Sequence, residues 1–322
     1  MNSAPLLATL LAPKFIILYL FVASAVYVHY RGRVRHGFFR QLTDHSSLMA
    51  PYNALMYLFS AVPNRPYVDV ARFPELAPLE ANWQVIRGEA QVLFDQGRIR
   101  AASTYNDLGF NSFFKTGWKR FYVKWYDEPL PSAQALCPKT VALVQSIPAV
   151  NAAMFALLPP GSKLNPHRDP FAGSLRYHLG LITPNSRDCR IFVDGEEHAW
   201  GDGKDVVFDE TFVHWVENKT DQTRVILFAD VERPLRTRWM SAINHRVGAF
   251  MGKITASPNS DTGTEKTGFV NRLYAWSQRK GAMHQWKAAF KRRHKKLYKA
   301  GKYVGILVLL WLIFLAPWPL LR

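Results

Sequence analysis

Two neighbouring stretches decide the fold of this chain: Pro166-His167-Arg168-Asp169-Pro170 and Leu175-Arg176-Tyr177-His178-Leu179-Gly180-Leu181-Ile182. The second alternates in character, which predicts a strand with Arg176, His178 and Gly180 on one face. In the first, the flanking prolines favour an extended or turn conformation over helix. Because alternate residues of an extended segment share a face, His167 and Asp169 can point at one ion.

A third candidate ligand, His214, lies further along the chain, and Arg224 follows it ten residues later. Two imidazoles and one carboxylate on one face of an iron ion leave its other positions open, which is typical of non-haem Fe(II) oxygenases. An alternative stays open, in which His167 and Asp169 lie in a surface turn, His178 is a core residue, and the arginines pair with surface acids.

Many short segments with strand character predict a mainly β chain with flanking helices. The predicted strands are residues 118–126, 152–158, 175–182, 190–193, 206–208 and 224–231. Turn residues stand at Asp194-Gly195 and Gly201-Asp202-Gly203. Upstream, residues 79–94 have helical spacing, and Gly97 is a plausible stop. Short strands separated by such turns indicate a closed or sandwiched β architecture of jelly-roll type.

The direction of the Arg224 side chain depends on a loop length. If residues 214–217 and 223–228 form a hairpin with the five-residue loop 218–222, position 216 pairs with position 224. Arg224 then lies on the same face as His214, whereas a four-residue loop would turn it outward. We therefore expect the longer loop.

Further motifs extend the pattern over about residues 70–235. They are Phe73-Pro74-Glu75-Leu76, Leu79-Glu80-Ala81-Asn82-Trp83, Ala153-Met154-Phe155, Pro159-Pro160-Gly161 and Phe208-Asp209-Glu210-Thr211-Phe212-Val213-His214. Together with the two stretches quoted above, they resemble the aspartyl/asparaginyl β-hydroxylase family, and within it the chain looks most like the membrane-bound lipid A 2-hydroxylases. The resemblance implies a double-stranded β-helix, which is a jelly roll.

The resemblance also implies roles for individual residues and two cosubstrates, 2-oxoglutarate and O2. His167, Asp169 and His214 would bind Fe(II) as the catalytic centre. Arg176 and His178 would contact the metal-chelating end of 2-oxoglutarate, which is converted to succinate.

At the far end of 2-oxoglutarate, Arg224 would clamp the second carboxylate. Relatives often carry a serine that helps to hold this carboxylate, and Ala156 stands in its place here. The bidentate geometry of the Arg224 guanidinium is then the main anchor.

The net charge of +17 is concentrated near the two ends of the chain. Residues 1–43 hold five Lys or Arg and no acid, and residues 266–322 hold thirteen and no acid, so residues 44–265 are nearly neutral. We predict no nucleic-acid partner, because the basic residues lie beside apolar segments. Two cysteines are too few for a disulfide framework, which fits a reducing compartment.

The apolar segments run from about Phe15 to Val28 and from Val304 to Leu321, and they predict N- and C-terminal membrane segments. Basic residues lie on the inner side of both, so the charge-bias rule places residues 31–302 in the cytoplasm, at a bacterial inner membrane. A cleavable signal peptide ending near Ala23-Ser24-Ala25 and a re-entrant hairpin are the alternatives for the first segment. Residues 286–299 predict a basic amphipathic helix that contacts anionic membrane lipid, with a solvated helix as the alternative.

These patterns divide the chain into four parts. They are an N-terminal membrane segment with a basic flank (1–43), a dioxygenase domain (44–250), a linker (251–280), and a basic helix with a C-terminal membrane segment (281–322). The activity that the resemblance implies is hydroxylation at the 2-position of a secondary acyl chain of lipid A or its precursor. The alternatives are a membrane-tethered aspartyl or asparaginyl β-hydroxylase of proteins or peptides, and a non-catalytic lipid-binding membrane protein.

Overall fold

The computed structural model describes residues 11–41, 44–102, 105–126, 128–260, 265–278 and 282–314. The chain divides into two compact units. The first comprises residues 24–274 and holds all of the described strands, and the second comprises residues 1–23 and 275–322. The unit 24–274 is wider on both sides than the predicted domain 44–250.

Eleven strands in the described residues form two antiparallel sheets. The strands are β1 (Tyr67–Val68), β2 (Lys119–Trp125), β3 (Glu128–Pro129), β4 (Val150–Leu158), β5 (Lys163–His167), β6 (Ser174–Ile182), β7 (Cys189–Val193), β8 (Glu196–Ala199), β9 (Asp205–Phe208), β10 (His214–Asn218) and β11 (Arg224–Glu232). The large sheet has the order β1-β9-β6-β11-β4-β2-β3, and the small sheet has the order β5-β10-β7-β8.

From β4 to β11 the chain passes repeatedly between the two sheets, which is the topology of a jelly roll. The predicted mainly β fold with flanking helices is therefore confirmed. All six predicted strands are present with small changes at their ends. Four others were not predicted. They are the two-residue strands β1 and β3, then β5, which contains Pro166 and few apolar residues, and β8, a polar strand at the edge of the small sheet.

The predicted hairpin between residues 214–217 and 223–228 is wrong. β10 pairs with β5 and β7 in the small sheet, whereas β11 pairs with β4 and β6 in the large sheet. The connection crosses between the sheets, and the Asn218 side chain donates to the carbonyl oxygens of Pro159 and Gln222 there. His214 and Arg224 nevertheless face one cavity, because the inner faces of the two sheets oppose each other.

The described helices flank the sheets or lie near the chain ends. They are α1 (Pro13–Tyr30), α2 (Phe38–Gln41), α3 (His45–Leu48), α4 (Ala50–Leu58), α5 (Ala77–Ala81), α6 (Trp83–Asp95), α7 (Asn111–Phe114), α8 (Pro131–Leu136), α9 (Pro138–Gln145), α10 (Arg238–Thr255), α11 (Phe269–Gln278), α12 (Ala282–Arg293) and α13 (Lys295–Phe314). The predicted helix 79–94 is two helices that meet at Asn82, and Gly97 follows with φ of 65°.

Helices α6 and α9 cover the outer face of the large sheet. Phe155, Leu179 and Leu227 are cross-strand neighbours on this face, and all three are fully buried. Alternation then turns their neighbours, among them His178 and Phe228, toward the small sheet. The large sheet therefore separates a packed apolar layer from a polar cavity.

One helix of the described residues, α1, is long and apolar enough to cross a membrane by length and composition. The predicted C-terminal segment 304–321 is helical up to Phe314 in α13, and residues 315–322 lie outside the described residues. The region of the predicted basic helix 286–299 contains α12 and α13, which meet at His294.

Candidate metal centre

Neighbouring strands of the small sheet bring two histidines together. His167 ends β5, His214 begins β10, and the two are direct cross-strand partners. Their ring centroids are 4.2 Å apart. Asp169 follows β5, and its Oδ1 lies 3.9 Å from Nε2 of His167. One ligand atom from each of the three side chains lies within 4.8 Å of the other two, so the three could hold a metal ion.

The orientation of each ring is fixed by its own backbone. Nδ1 of His167 lies 2.8 Å from the carbonyl oxygen of Asn165, and Nδ1 of His214 lies 3.0 Å from that of Phe212. Each Nδ1–H donates to its carbonyl, which leaves Nε2 with a lone pair for a metal. Burial lowers the pKa of His167, and it lowers that of His214 to about 3. Both rings are therefore neutral near pH 7, as metal binding requires.

Arg176 connects the triad to two further acids. Its Nη2 lies 2.8 Å from Oδ2 of Asp169 and also pairs with Glu210, while its Nε lies 2.9 Å from Oδ1 of Asp230. Burial raises the pKa of Asp169, but the Arg176 guanidinium together with His214 and His167 outweighs burial and holds that pKa below its usual range. One guanidinium faces three carboxyl groups, so a divalent cation would offset the excess of acidic groups.

The opposite end of the cavity carries a buried guanidinium without an acid. Arg224 is 2% exposed, its Nε has no hydrogen-bond partner, and none of the ion pairs among the described residues includes it. Its guanidinium carbon lies 4.4 Å from the centre of the Trp200 ring. Burial lowers the pKa of Arg224 to about 10. An anionic group bound here would remove the cost of an unpaired buried charge.

His178 lies between the two ends of the cavity. Both of its ring nitrogens are buried without a partner, which is uncommon for a core histidine. Burial, and then the Arg224 guanidinium, hold the pKa of His178 well below its usual range. A neutral imidazole without partners could bind a polar ligand between the triad and Arg224.

The walls of the cavity are mostly apolar and aromatic. The apolar lining residues are Phe113, Trp118, Leu164, Ile191, Phe208, Val216 and Phe228. Phe113 lies beside the triad, with its ring centroid 4.8 Å from that of His167. The sequence analysis did not predict that the segment around Phe113 would take part in the site.

The six candidate residues of the sequence analysis thus line one cavity. The triad supplies nitrogen and oxygen ligands suited to Fe(II), and the unpartnered atoms of His178 and Arg224 suit a dicarboxylate such as 2-oxoglutarate. Ala156 is fully buried in β4 opposite Ile226, two residues along β11 from Arg224, and its methyl group offers no donor.

Glu210 and Asp230 were not predicted, although the sequence contained a signal for each. Glu210 lies within the motif that ends at His214. Asp230 is separated from Arg224 and Phe228 by an even number of residues in β11, so the alternation of a strand places all three on the cavity face. Their pairing with Arg176 depends on the contact between strands, which a single sequence does not give.

Residues before the predicted domain boundary also support the centre. Arg31 lies between the rings of Tyr57 and Phe212 and donates to Asp209 at 2.5 Å and Thr211 at 2.6 Å. Asp209 and Thr211 flank Glu210 in the loop that leads to His214.

The other metal-ligand loop is held in a similar way. Arg168 stands between the ligands His167 and Asp169, and its Nη1 donates to the carbonyl oxygen of Val28 at 2.5 Å. Nε2 of His45 lies 2.7 Å from the carbonyl oxygen of Arg168. Val28, Arg31 and His45 therefore belong to the folded unit that carries the site.

Comparison with known proteins identifies the protein family. The pattern of the family described as aspartyl/asparaginyl beta-hydroxylase matches residues 80–234. The ornithine lipid ester-linked acyl 2-hydroxylase of Rhizobium tropici is 36% identical over 196 residues, which cover 59% of this chain and 69% of that protein. This chain belongs to the aspartyl/asparaginyl β-hydroxylase family.

Two other similarities are more distant. The human aspartyl/asparaginyl beta-hydroxylase is 29% identical over 161 residues, which cover 48% of this chain and 21% of that protein. A crystal structure of a Pseudomonas putida prolyl-4-hydroxylase is similar at a TM-score of 0.31 and 21% identity, covering 48% of this chain and 87% of that one.

Proposed function

We propose that this chain is an Fe(II)- and 2-oxoglutarate-dependent dioxygenase that hydroxylates the 2-position of an ester-linked acyl chain of a membrane lipid. The observation that carries the proposal is the pairing of two sites in one cavity. The possible metal ligands His167, Asp169 and His214 lie at one end, and the unpaired Arg224 lies at the other. The reaction would convert one C–H bond, 2-oxoglutarate and O2 into C–OH, succinate and CO2.

We propose a separate role for each polar residue of the cavity. His167, Asp169 and His214 would hold Fe(II), which together with its cosubstrates supplies the oxidising equivalents for hydroxylation. Arg224 would bind the far carboxylate of 2-oxoglutarate, and His178 would bind its chelating end. Arg176 already contacts three carboxyl groups, so we propose that it positions Asp169 instead of contacting the cosubstrate as predicted.

The family and the chain itself support the proposed substrate class. The Rhizobium relative acts on an ester-linked acyl chain of ornithine lipid. A secondary acyl chain of lipid A, the predicted substrate, is also joined through an ester, so both offer an activated 2-position beside a carbonyl. The apolar walls around Phe113 and Trp118 suit an alkyl chain. We propose lipid A or its precursor as the substrate, with ornithine lipid as the second candidate.

The cellular location is part of the same proposal. The helix α1 has the length and composition of a membrane span, and the basic residues 31–40 follow it. By the charge-bias rule, the unit 24–274 would lie at the cytoplasmic face of a bacterial inner membrane. The segment 304–321 would be a second membrane segment.

A direct assay tests the activity and the substrate together. Purified full-length protein in detergent is given Fe(II), 2-oxoglutarate and, in separate reactions, lipid A, ornithine lipid or an Asp-containing peptide. We expect mass spectrometry to find one added oxygen atom on the 2-carbon of an acyl chain, with succinate formed in step. Hydroxylation of the peptide alone would support the protein-hydroxylase alternative, and no succinate with any substrate would contradict the dioxygenase proposal.

A further inference from the structure

Two helices of the unit 24–274 expose large apolar side chains. Leu55 and Leu58 project from α4, and Trp239, Ile243 and Phe250 project from α10; each is between 41% and 67% exposed. We call these five residues the α4–α10 surface. Within each helix their spacing puts them on one face. Grouped exposed apolar residues of this size mark an interaction site.

The two helices lie side by side, so their exposed faces are neighbours. The ring centroids of Phe59, which caps α4, and Trp239 are 5.1 Å apart. Further along, the hydroxyl of Tyr52 donates to Oδ1 of Asn244 at 2.6 Å. The end of α4 and the start of α10 are also joined by a backbone hydrogen bond from Arg236 to Phe59.

The charged residues within the two helices are all basic. Residues 234–260 contain no acid, and α4 contains no charged residue. The Lys and Arg residues of this stretch are exposed, and none of them forms an ion pair within the described residues: Arg236, Arg238, Arg246 and Lys253. Arg246 and Lys253 follow Ile243 and Phe250 by three positions, on the same face of α10. Apolar side chains with unpaired cations complement an anionic lipid surface.

The same helix that exposes Leu55 and Leu58 holds the metal-ligand loop on its other side. The Asn53 side chain donates to the carbonyl oxygen of Pro170 at 2.9 Å and accepts from the backbone N–H of Ala172 at 3.0 Å. Both partners follow Asp169 closely in the chain. A single helix, about 10 Å across, therefore separates the α4–α10 surface from the loop that carries a candidate ligand.

The candidate membrane helix leads into the same region. Val28, near the end of α1, is buried in one apolar cluster with Met56 of α4 and Met240 of α10. The α4–α10 surface is thus supported by the cluster in which α1 ends.

We propose that the α4–α10 surface binds the face of an anionic bilayer. Its apolar side chains would enter the boundary between headgroups and acyl chains, and Arg238, Arg246 and Lys253 would contact phosphates. The inference deepens the proposed function and rests on it for the identity of the substrate. The 2-carbon of an ester-linked acyl chain lies at this same boundary. An enzyme bound to the bilayer through this surface would therefore reach that carbon without pulling the lipid far out of the membrane.

The experiment places a reporter on the surface of the full-length protein. Ile243→Cys carries an environment-sensitive fluorophore, and the natural Cys137 and Cys189 are buried. The protein is reconstituted into vesicles of phosphatidylcholine and phosphatidylglycerol, with either a quencher attached to lipid or iodide in the water. Val92→Cys is the matched control, because Val92 is an apolar residue of α6 that is 50% exposed.

We expect the label at position 243 to lose most of its emission to the lipid quencher and little to iodide, with the reverse at position 92. Quenching at position 243 by iodide would overturn the proposal. Protection from both quenchers would overturn it as well, because a protein segment or a second copy would then cover the surface. The readout needs no turnover, so it is independent of whether the chain hydroxylates a lipid.

A charge-reversal variant tests the electrostatic part. Arg246→Glu combined with Lys253→Glu changes two exposed residues, so the thermal unfolding midpoint should stay unchanged. In vesicles that contain phosphatidylglycerol, we expect weaker lipid quenching at position 243 than without the charge reversal. In pure phosphatidylcholine the two proteins should match. Equal quenching in both kinds of vesicle would contradict a role for these cations.

Discussion

His167 and His214 stand opposite each other in two paired strands, with ring centroids 4.2 Å apart. Each ring donates its Nδ1–H to a backbone carbonyl two residues earlier in the chain, at Asn165 and Phe212. The two side chains are therefore fixed by local backbone geometry before any metal binds. Pre-set rings of the correct tautomer lower the entropic cost of assembling a metal centre.

Replacement of Arg224 should separate a ligand-binding role from a structural one. In Arg224→Met we expect the affinity for 2-oxoglutarate to fall about tenfold or more, since a charge-assisted hydrogen bond contributes about 1.5–3 kcal/mol. The free energy of unfolding without ligand should rise by about 1 kcal/mol, because an unpaired buried charge is removed. Calorimetric titration and denaturant unfolding measure the two effects.

Arg233→Met is the matched control for that pair of measurements. Arg233 is as deeply buried as Arg224, but it is paired with Asp209 at 2.8 Å. We expect this variant to lose stability and to keep its affinity for 2-oxoglutarate. A loss of stability in both variants, with unchanged affinity for 2-oxoglutarate in Arg224→Met, would show that Arg224 is structural.

Arg31 and Arg33, in the segment that precedes the predicted domain, allow a buried ion pair to be compared with an exposed one. Arg31→Met breaks a buried pair with Asp209 and should cost about 3 kcal/mol of unfolding free energy. Arg33→Met breaks an exposed pair with Glu196 and should cost between about 0 and 1 kcal/mol. Urea unfolding of both variants decides the point. Equal small losses would mean that residues 28–34 are only loosely attached.

Gly180 is required by the packing of β6 next to His178. A Cβ added at this position would overlap the carbonyl oxygen of Gly201, so Gly180→Ala should lose about 1–3 kcal/mol or fail to fold. Gly88 in α6 has open space around it, and Gly88→Ala should gain about 0.5–1 kcal/mol. The thermal unfolding midpoints of the two variants should shift in opposite directions. A shift in the same direction would contradict the claim that a Cβ has no room at position 180 and has room at position 88.

The stability of the protein should depend on pH through His36. Burial, followed by the nearby Arg40 cation, lowers the pKa of His36 from 6.5 to about 4. The unfolded chain then binds a proton more readily, so the contribution of His36 to stability is full above pH 6.5 and is lost as the pH falls toward 4. Urea unfolding at several pH values should show a smaller loss over this window in His36→Asn. The same loss in both proteins would assign the effect to other groups.

The sequence predicted the five longer strands of the large sheet well, because most of their residues are apolar and buried, and it missed the two-residue strands β1 and β3 of that sheet. It did not predict β5 or β8, whose residues are mostly polar and whose place in the small sheet depends on pairing with distant strands. The hairpin prediction for β10 and β11 failed for a related reason. A short connection was taken to join paired strands, whereas the loop around Asn218 crosses between sheets.

The candidate site was also predicted in part. The motif spacings identified His167, Asp169, His214, His178 and Arg224, which all line one cavity. The sequence did not predict that Arg176 meets carboxyl groups from two further segments.

The α4–α10 surface was also not predicted from the sequence. The exposed faces of these helices are determined by what packs against their other sides.

The central claim is that His167, Asp169 and His214 together bind one Fe(II) ion. Anaerobic titration of the full-length protein with Co(II), a spectroscopic substitute for Fe(II), measures this through its visible absorption. We expect one Co(II) per chain, loss of binding in His167→Ala and His214→Ala, and unchanged binding in His245→Ala, whose side chain is 68% exposed. Binding that persists in both triad variants at the affinity of the unmodified protein would contradict the claim.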